Sequence, residues 1–261
     1  MDIHLGIQLA QNLQLSAAQL TDLTQYSEAR IFSEYSVNIL RQLHNRYPRR
    51  KQIRTALSDA LQTYTISLGK SWRTGDACLV SEECVALRRI TYKGSRKQNR
   101  LKMVVSLVLR GICLRDMYRF EDALSVFSEA VVLARKIAPA ENTFNLSITL
   151  CHYGMCLLDL GEFSNASSVL NEAFMFNQGS DESVEQARSS SNLSPVFPTA
   201  DGVSMAISHW RLMFNNGGDQ FRAIYLMSLE KLGDVLGILL FTEAAQKARA
   251  EAQWVRSLTR S

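Results

Sequence analysis

The residues most capable of chemistry lie together near the middle of the chain, where Cys151 and His152 are followed by Cys156. A thiolate activated by an imidazole is a nucleophile, and cysteine and histidine together bind zinc. On a helix, however, Cys151 and Cys156 would lie on different faces, because side chains meet at spacings of three and four. The sequence has no Cys-x-x-Cys pair and no His-Glu-x-x-His motif. We therefore expect structural cysteines, with no catalytic residue, no metal and no cofactor.

The remaining signals of catalysis are also weak. The four histidines are scattered, and the pair Gly217-Gly218 follows two asparagines, which is typical of a helix end rather than of a phosphate-binding loop. Five cysteines, an odd number, fall in apolar patterns and indicate reduced thiols. No apolar run is long enough to span a membrane, and the N-terminus lacks the features of a secretion signal. We expect a cytoplasmic protein, with the nucleus as the alternative.

Positive charge is concentrated in one part of the chain. The net charge is +4, but residues 44–102 contain 14 Lys and Arg against 4 Asp and Glu. The pattern favours a solvated edge between structural elements; the alternative is a rim that binds an acidic peptide or, less favoured, RNA. The candidate rim residues are Arg49, Arg50, Lys51, Arg96, Lys97 and Arg100.

The elements that would position these residues are set by an internal repeat. Segments beginning at Gly111 and Gly154, 43 residues apart, carry the same residue types at the same offsets. A fixed period of this length indicates stacked supersecondary units. The recurring pairs are Gly111 and Gly154, Leu114 and Leu157, Phe120 and Phe163, Ala123 and Ala166, Phe127 and Leu170, and Ala130 and Ala173.

Each copy has the periodicity of a helix hairpin. Apolar residues in 103–116 and 120–137 recur at spacings of three and four, with a short polar turn at 115–119. The small residues Gly111 and Ala123 would let the two helices approach closely, and Phe127 and Leu170 would fill space towards the next hairpin.

This pattern resembles the tetratricopeptide repeat, in which a glycine on the first helix is followed by alanine, a large residue and alanine on the second. The period of about 42 residues, against ~34 in the usual repeat, is similar to the longer repeats of kinesin light chains and to tetratricopeptide-like proteins of some fungi. The resemblance implies an all-α fold, a right-handed α-solenoid of antiparallel helix hairpins whose first helices line a concave groove. The predicted hairpins, in one domain over 1–261, are 7–43, 55–90, 103–137, 144–176 and 222–258.

The outer copies are weaker. We align Gly69 and Gly233 with Gly111, which requires a shorter turn in both hairpins, and Phe32 with Phe127. Residues 177–201, rich in Ser, Asn and Pro, are predicted to be a loop, with a regulatory phosphorylated segment as the alternative. A helix at about 202–214 would be the second helix of a unit whose first helix has decayed. Trp72, Trp210 and Trp254 lie on helical stripes and are predicted to be core.

For function, the resemblance implies a non-catalytic protein–protein interaction scaffold that binds a peptide or helix of another protein, possibly an acidic one, in the groove. Two alternatives stay open: a sensor or regulatory segment of a larger multidomain protein, and an enzyme. We expect no membrane association, and self-association through the ends of the array is a further possibility. The candidate groove residues are Tyr64, Arg110, Asn145, Tyr153 and Lys231.

Overall fold

The computed structural model describes residues 2–92, 97–137, 143–175, 219–238 and 241–258, together with Val203, Ser204, Ile207 and Arg211. In these residues every regular element is a helix and no strand occurs. The helices with defined bounds in this part are α1 (Ile3–Asp22), α2 (Tyr26–Arg46), α3 (Lys51–Lys70), α4 (Thr74–Tyr92), α5 (Lys97–Asp116), α6 (Phe120–Arg135), α7 (Thr143–Asp159), α8 (Phe163–Met175), α9 (Asp219–Ile238) and α10 (Thr242–Leu258).

The chain divides into two compact units, Met1–Arg119 and Phe120–Ser261. In the first unit, α1 pairs with α2 and α3 with α4, while α2 packs on α3 and α4 packs on α5. In the second unit, α6 packs on α7, α7 pairs with α8, α8 packs on α9 and α9 pairs with α10. The predicted all-α stack of helix hairpins is confirmed. The boundary between the units falls between α5 and α6, inside the predicted hairpin 103–137, and the single domain stays a prediction.

One turn geometry recurs through the chain. The backbone N–H of the residue that precedes each second helix donates to the carbonyl of a leucine five residues earlier, which is the 6→1 bond of a Schellman motif. Satisfying a helix-end carbonyl in this way stops the first helix and starts the second after three residues. The donor–acceptor pairs are Gln25–Leu20 (2.8 Å), Arg73–Leu68 (3.0 Å), Arg119–Leu114 (3.0 Å), Glu162–Leu157 (2.9 Å) and Phe241–Leu236 (2.8 Å).

The middle residue of this turn has a left-handed backbone in four of the hairpins. The φ values are 61° at Thr24, 60° at Trp72, 58° at Tyr118 and 75° at Gly161. Only glycine adopts this conformation without strain. Trp72 is 74% exposed at its turn. The prediction that Trp72 belongs to the core is therefore wrong, because the turn geometry turns its side chain outwards.

The turn leucines also establish the register of the repeats. Three residues before each leucine stand Ala17, Thr65, Gly111, Gly154 and Gly233. Thr65, which is buried, is thus the counterpart of Gly111, whereas Gly69 lies in the last turn of α3 with nothing within 4 Å of an added Cβ. The alignment of Gly69 with Gly111 and the shorter turns were therefore wrong. Gly69 matches Gly111 in residue type, but the turn hydrogen bonds align Thr65 with Gly111 and give turns of equal length.

The repeat glycine makes room within its own hairpin. A Cβ on Gly154 would lie 2.7 Å from both Cγ and Cδ2 of Leu170, which is fully buried. Leu170 therefore packs against the first helix of its own hairpin, a contact that the sequence did not predict. Phe127 does reach the next hairpin as predicted, since its ring stacks on His152 of α7. In α10 the same position is Arg249, whose Cγ would lie 2.8 Å from a Cβ on Gly233.

In α2 the position of Leu170 is held by Ser33, which is fully buried. The predicted counterpart, Phe32, is 37% exposed, so that alignment was one residue out of register. Ser33 exchanges a 3.0 Å hydrogen bond between hydroxyls with Ser67 of α3. The first hairpins thus use small polar contacts where the later ones use a large side chain over glycine.

Successive second helices are joined by an ion pair at fixed repeat positions. Arg41 of α2 pairs with Glu83 of α4, and Arg135 of α6 donates to Glu172 of α8 through Nε at 3.1 Å and Nη2 at 2.6 Å. Both arginines stand 21 residues after their turn leucine, and both glutamates 15 residues after theirs. The pairs are partly exposed, so their contribution to stability is modest, but their geometry sets the spacing of neighbouring second helices.

The same glutamate position in α10 is Glu251, and its partner is Arg211. Arg211 donates through Nε at 2.8 Å and 3.0 Å to the two carboxylate oxygens. Arg211 thus contacts the repeat position at which Arg41 and Arg135 contact α4 and α8. The decayed unit at about 202–214 stays a prediction, because only Val203, Ser204, Ile207 and Arg211 of it are described. The loop 177–201 and Trp210 lie outside the described residues.

Candidate partner-binding surfaces

The cluster that could have done chemistry is part of the core. All five cysteines are free and buried. The ring of His152 stacks on Phe127 with centroids 6.1 Å apart, and the Cys156 thiol donates to the Phe120 carbonyl at 3.4 Å. Burial raises the pKa of Cys113 to about 12, which keeps this thiol protonated and unreactive. In the part of the chain that the structure describes, no group of histidine, cysteine and acidic residues could hold a metal ion.

The basic residues are positioned by the connection between α2 and α3. Tyr47 follows α2, with the Arg46 guanidinium 5.6 Å from its ring centroid, and Arg54 Nη1 donates to the Pro48 carbonyl at 3.3 Å. Arg50 precedes α3 in an extended conformation. These contacts stabilise the connection and do not involve the side chains of Arg49, Arg50 and Lys51.

Three consecutive cations, Arg49, Arg50 and Lys51, are exposed on this connection, and we call them the basic edge. The first turn of α3 contains no acidic residue. The unpaired N–H groups at the start of a helix carry partial positive charge, which adds to that of the three side chains. The arrangement attracts anionic groups.

Two further basic residues of this region form ion pairs inside the first unit. Arg88 Nη2 lies 2.5 Å from Asp59 Oδ1, and Lys102 Nζ lies 2.9 Å and 3.0 Å from the two oxygens of that carboxylate. The Arg88 side chain is only 4% exposed. Both cations are among the 14 Lys and Arg counted over residues 44–102. Their pairing with Asp59 was missed, because the contact joins three helices, α3, α4 and α5.

The other predicted rim residues are less well presented. Arg100 is half-buried on α5, while the side chains of Arg96 and Lys97 lie outside the described residues. The described part of the rim is therefore the basic edge and Arg100. Because Asp59 of α3 meets both Arg88 of α4 and Lys102 of α5, the N-terminal halves of α3 and α5 and the C-terminal half of α4 are neighbours in the first unit.

Three of the predicted groove residues occupy one repeat position. Tyr64, Arg110 and Tyr153 each precede their turn leucine by four residues. Arg110 is directed at α4, where its Nη2 lies 3.4 Å from Glu82 and its Nη1 donates to the Cys78 carbonyl at 3.5 Å. Burial, and then nearby charge, raises the pKa of both tyrosines. This position lies against a neighbouring second helix, at least at Arg110, and its role in partner binding stays a prediction.

The remaining groove candidates, Asn145 and Lys231, are half-buried on α7 and α9. The Thr149 hydroxyl donates to the Asn145 carbonyl at 2.8 Å, a bond within α7. Both residues lie in the second unit, whereas Tyr64 and Arg110 lie in the first. Their assignment to a binding groove also stays a prediction.

A third surface lies beside α10. The Arg211 guanidinium stacks 4.5 Å from the centroid of the Trp254 ring while it holds Glu251, whose side chain is 2% exposed. The predicted core tryptophan is therefore half-buried and covered by a cation. Close by, Arg249 lies over Gly233 and Gly237, with Nη2 3.9 Å from Asp234, and lines a cleft of about 350 Å³ between α9 and α10.

Comparison with solved structures shows a tetratricopeptide-like fold. A putative kinesin light chain with nearly identical TPR-like repeats from Podosopora anserina superposes with a TM-score of 0.55 over 97% of each chain, at 11% identity. The apo form of RapI matches with a TM-score of 0.57 over 98% of this chain and 86% of that one, at 13% identity. Aspartyl phosphate phosphatase F from Bacillus subtilis matches with a TM-score of 0.54 at 11% identity, and this chain spans 60% of its length. These findings confirm the resemblance at the level of the fold.

No protein-family model and no curated protein matches the sequence. Among the described helices, none has the length and apolar character needed to cross a bilayer.

Proposed function

We propose that this chain is a non-catalytic interaction scaffold that binds an acidic peptide or helix of another protein. The observation that carries the proposal is the basic edge, Arg49, Arg50 and Lys51, exposed together at the start of a helix without an acidic residue in its first turn. The proposed location is the cytoplasm, where cysteines stay reduced.

The argument rests on how the neighbouring charges are used. Arg88 and Lys102 are satisfied by Asp59 inside the unit, so they contribute to folding and not to attraction of a partner. The three cations of the basic edge have side chains in water instead, where they add to one another over about a Debye length of ~8 Å. A surface of this kind raises the association rate of an acidic partner and weakens as salt rises.

The test is fluorescence anisotropy of a labelled oligoglutamate peptide titrated with the full chain at several salt concentrations. We expect measurable binding at low salt that falls as salt rises. The triple variant Arg49→Glu, Arg50→Glu, Lys51→Glu is expected to abolish binding, because each substitution reverses a charge at the edge. The matched control is Lys247→Glu, an exposed cation on α10, which should leave binding unchanged.

Two results would contradict the proposal. One is an affinity for oligoglutamate that the triple variant leaves intact, and the other is no binding at low salt. A single-stranded RNA probe of equal length is titrated in parallel; tighter salt-dependent binding of RNA than of oligoglutamate would replace the acidic-protein partner by nucleic acid.

The groove residues give the proposal a second, separable test. We propose that Tyr64, Arg110, Asn145, Tyr153 and Lys231 contact the partner. Tyr153→Ala is the most informative substitution in this set. If these residues contact the partner, Tyr153→Ala should lower the affinity for a partner found with the full chain, while the circular dichroism spectrum stays unchanged. Unchanged affinity would leave the basic edge as the sole candidate surface.

Two other functions stay as alternatives. A regulatory segment of a larger multidomain protein would use the same surfaces towards its own chain, and would be favoured if the basic edge bound no separate peptide. For an enzyme, the residues with the required chemistry are Cys151 and Cys156, both fully buried. Labelling of either thiol by iodoacetamide in the native chain at neutral pH would reopen that alternative.

A further inference from the structure

One face of α1 is uncovered although it has the pattern of a buried face. Leu5 is 62% exposed, Leu9 46% and Leu23, in the turn after α1, 66%. Gln8, Asn12 and Gln19 lie between them and are also exposed. Positions 5, 8, 9, 12, 16 and 19 follow the spacing of three and four that puts side chains on one side of a helix. We call these residues the α1 face.

The repeat shows what such a face does elsewhere in the same unit. Counting from the turn leucines, Leu5 and Leu9 correspond to Ile53 and Leu57 of α3, which are 0% and 1% exposed. Gln19 and Leu23 correspond to Ser67 and Ser71, whose hydroxyls bond to Ser33 and to the Tyr26 carbonyl of α2. The face of α3 is therefore covered by a preceding second helix. The α1 face is the equivalent surface with no helix on it among the described residues.

The chemistry of the α1 face limits what can cover it. No residue of the face is charged; it consists of leucines and side-chain amides, with Ser16. A partner helix that brought unpaired charges would bury them without a counter-ion, which is costly. The occupant therefore has an uncharged face.

The last hairpin does not supply such a face. In α10 the positions of Ser33 and Leu40 are held by Arg249 and Arg256. These arginines are 52% and 49% exposed and face Asp234 and Glu230 of α9. A head-to-tail contact between copies would press both cations onto the α1 face, so repeated end-to-end addition is disfavoured.

The α1 face does fit itself. We propose that it pairs with the α1 face of a second copy in an antiparallel, two-fold symmetric dimer centred on Asn12. About such an axis residue 12−n meets residue 12+n of the partner copy, so Leu5 meets Gln19, and Leu9 meets Leu15, which borders the α1 face and is 65% exposed. The two Asn12 side chains meet on the axis, where each amide can both donate and accept.

Each part of this arrangement follows from the α1 sequence. Asn12 sets the register, because only one antiparallel alignment brings its two copies together, and in that alignment Gln8 meets Ser16. The helix has 20 residues and is about 30 Å long, so the paired area is small for a stable dimer. We therefore expect a dimer with a dissociation constant of about 1–100 µM.

The experiment is sedimentation velocity of the full chain across that concentration range, with far-ultraviolet circular dichroism to verify folding. The wild-type chain is expected to shift from monomer to dimer as concentration rises. Leu9→Lys places a charge against Leu15 of the partner copy, and by symmetry a second one in the same uncharged interface, and is expected to weaken dimerisation by about tenfold or more. Leu79→Lys is the matched control, since Leu79 is 70% exposed on α4 and lies off the face.

A second variant tests the axis itself. Asn12→Cys should form a disulfide-linked dimer on mild oxidation, because residues on a two-fold axis meet their own copies. Asn38→Cys, an exposed site on α2, should not. The proposal is overturned by a chain that stays monomeric throughout, by a dimer that Leu9→Lys leaves intact, or by equal cross-linking at both cysteines. None of these results depends on the basic edge, so the proposed function is tested separately.

Discussion

Replacing glycine by alanine is expected to have opposite effects at two positions of this chain. At Gly69 an added Cβ has nothing within 4 Å, so the change removes only the helix cost of glycine. We expect Gly69→Ala to raise the free energy of unfolding by about 0.5–1 kcal/mol. At Gly154 the same Cβ would lie 2.7 Å from Cγ and Cδ2 of the buried Leu170. Overpacking of this kind costs about 1–3 kcal/mol and the alanine recovers roughly 1, so Gly154→Ala is expected to be destabilising by about 1 kcal/mol.

The assay is urea denaturation followed by circular dichroism, with hydrogen exchange of the α7 and α8 amides to assign the effect to the second unit. A double-mutant cycle with Leu170→Ala isolates the contact. Leu170→Ala alone should cost about 2–5 kcal/mol, and the double variant less than the sum by roughly 1–2, because the alanine methyl enters the space left by leucine. If Gly154→Ala stabilises the chain as Gly69→Ala does, or if the two changes at Gly154 and Leu170 are additive, then close helix contact is not the reason for the repeat glycine.

Three further outcomes are expected. Thr24→Gly should raise the free energy of unfolding by about 1 kcal/mol, because a β-branched residue at positive φ is strained; an unchanged urea midpoint would contradict this. Asp59→Asn should lower it by about 2 kcal/mol, because Arg88 is left buried without its counter-ion, whereas Asp76→Asn, in an exposed pair, should change the urea midpoint little. Cys113, with a pKa of about 12, should react with iodoacetamide at pH 8 only when urea unfolds the chain. Since the unfolded thiol ionises near 9, the free energy of unfolding should fall as pH rises from about 9 towards 12. Labelling of Cys113 in the folded chain at pH 8 would refute both statements.

The two central copies could be aligned from sequence because both the packing glycine and the turn leucine recur there. The contact between Gly154 and Leu170 can be inferred from the sequence, because the glycine itself marks the place where the two helices approach. In α3 the same place holds Thr65, and a search for glycine selected Gly69 instead, at a site where no side chain approaches. The turn bond from Arg73 to Leu68 gives the true register, and hydrogen bonds of the backbone leave no mark on residue type.

The surfaces were less accessible to sequence reasoning than the fold. The basic region was visible as a run of charge, and its exposed part, Arg49 to Lys51, lies where the connection between hairpins was expected. What composition could not show is that Asp59 removes Arg88 and Lys102 from that surface. The α1 face could not be predicted for a related reason. In sequence its leucines look like core leucines, and only the structure shows that Leu5 and Leu9 are exposed.

The ion pairs between second helices have a consequence for the order of the hairpins. Arg41 with Glu83, Arg135 with Glu172 and Arg211 with Glu251 are three instances of the same joint. In the two joints whose positions are set by turn leucines on both sides, Arg41 with Glu83 and Arg135 with Glu172, the same two repeat positions are used. The two arginines are therefore chemically interchangeable, and so are the two glutamates. The joint does not distinguish one pair of second helices from the other, so the order of the hairpins is left to their remaining contacts.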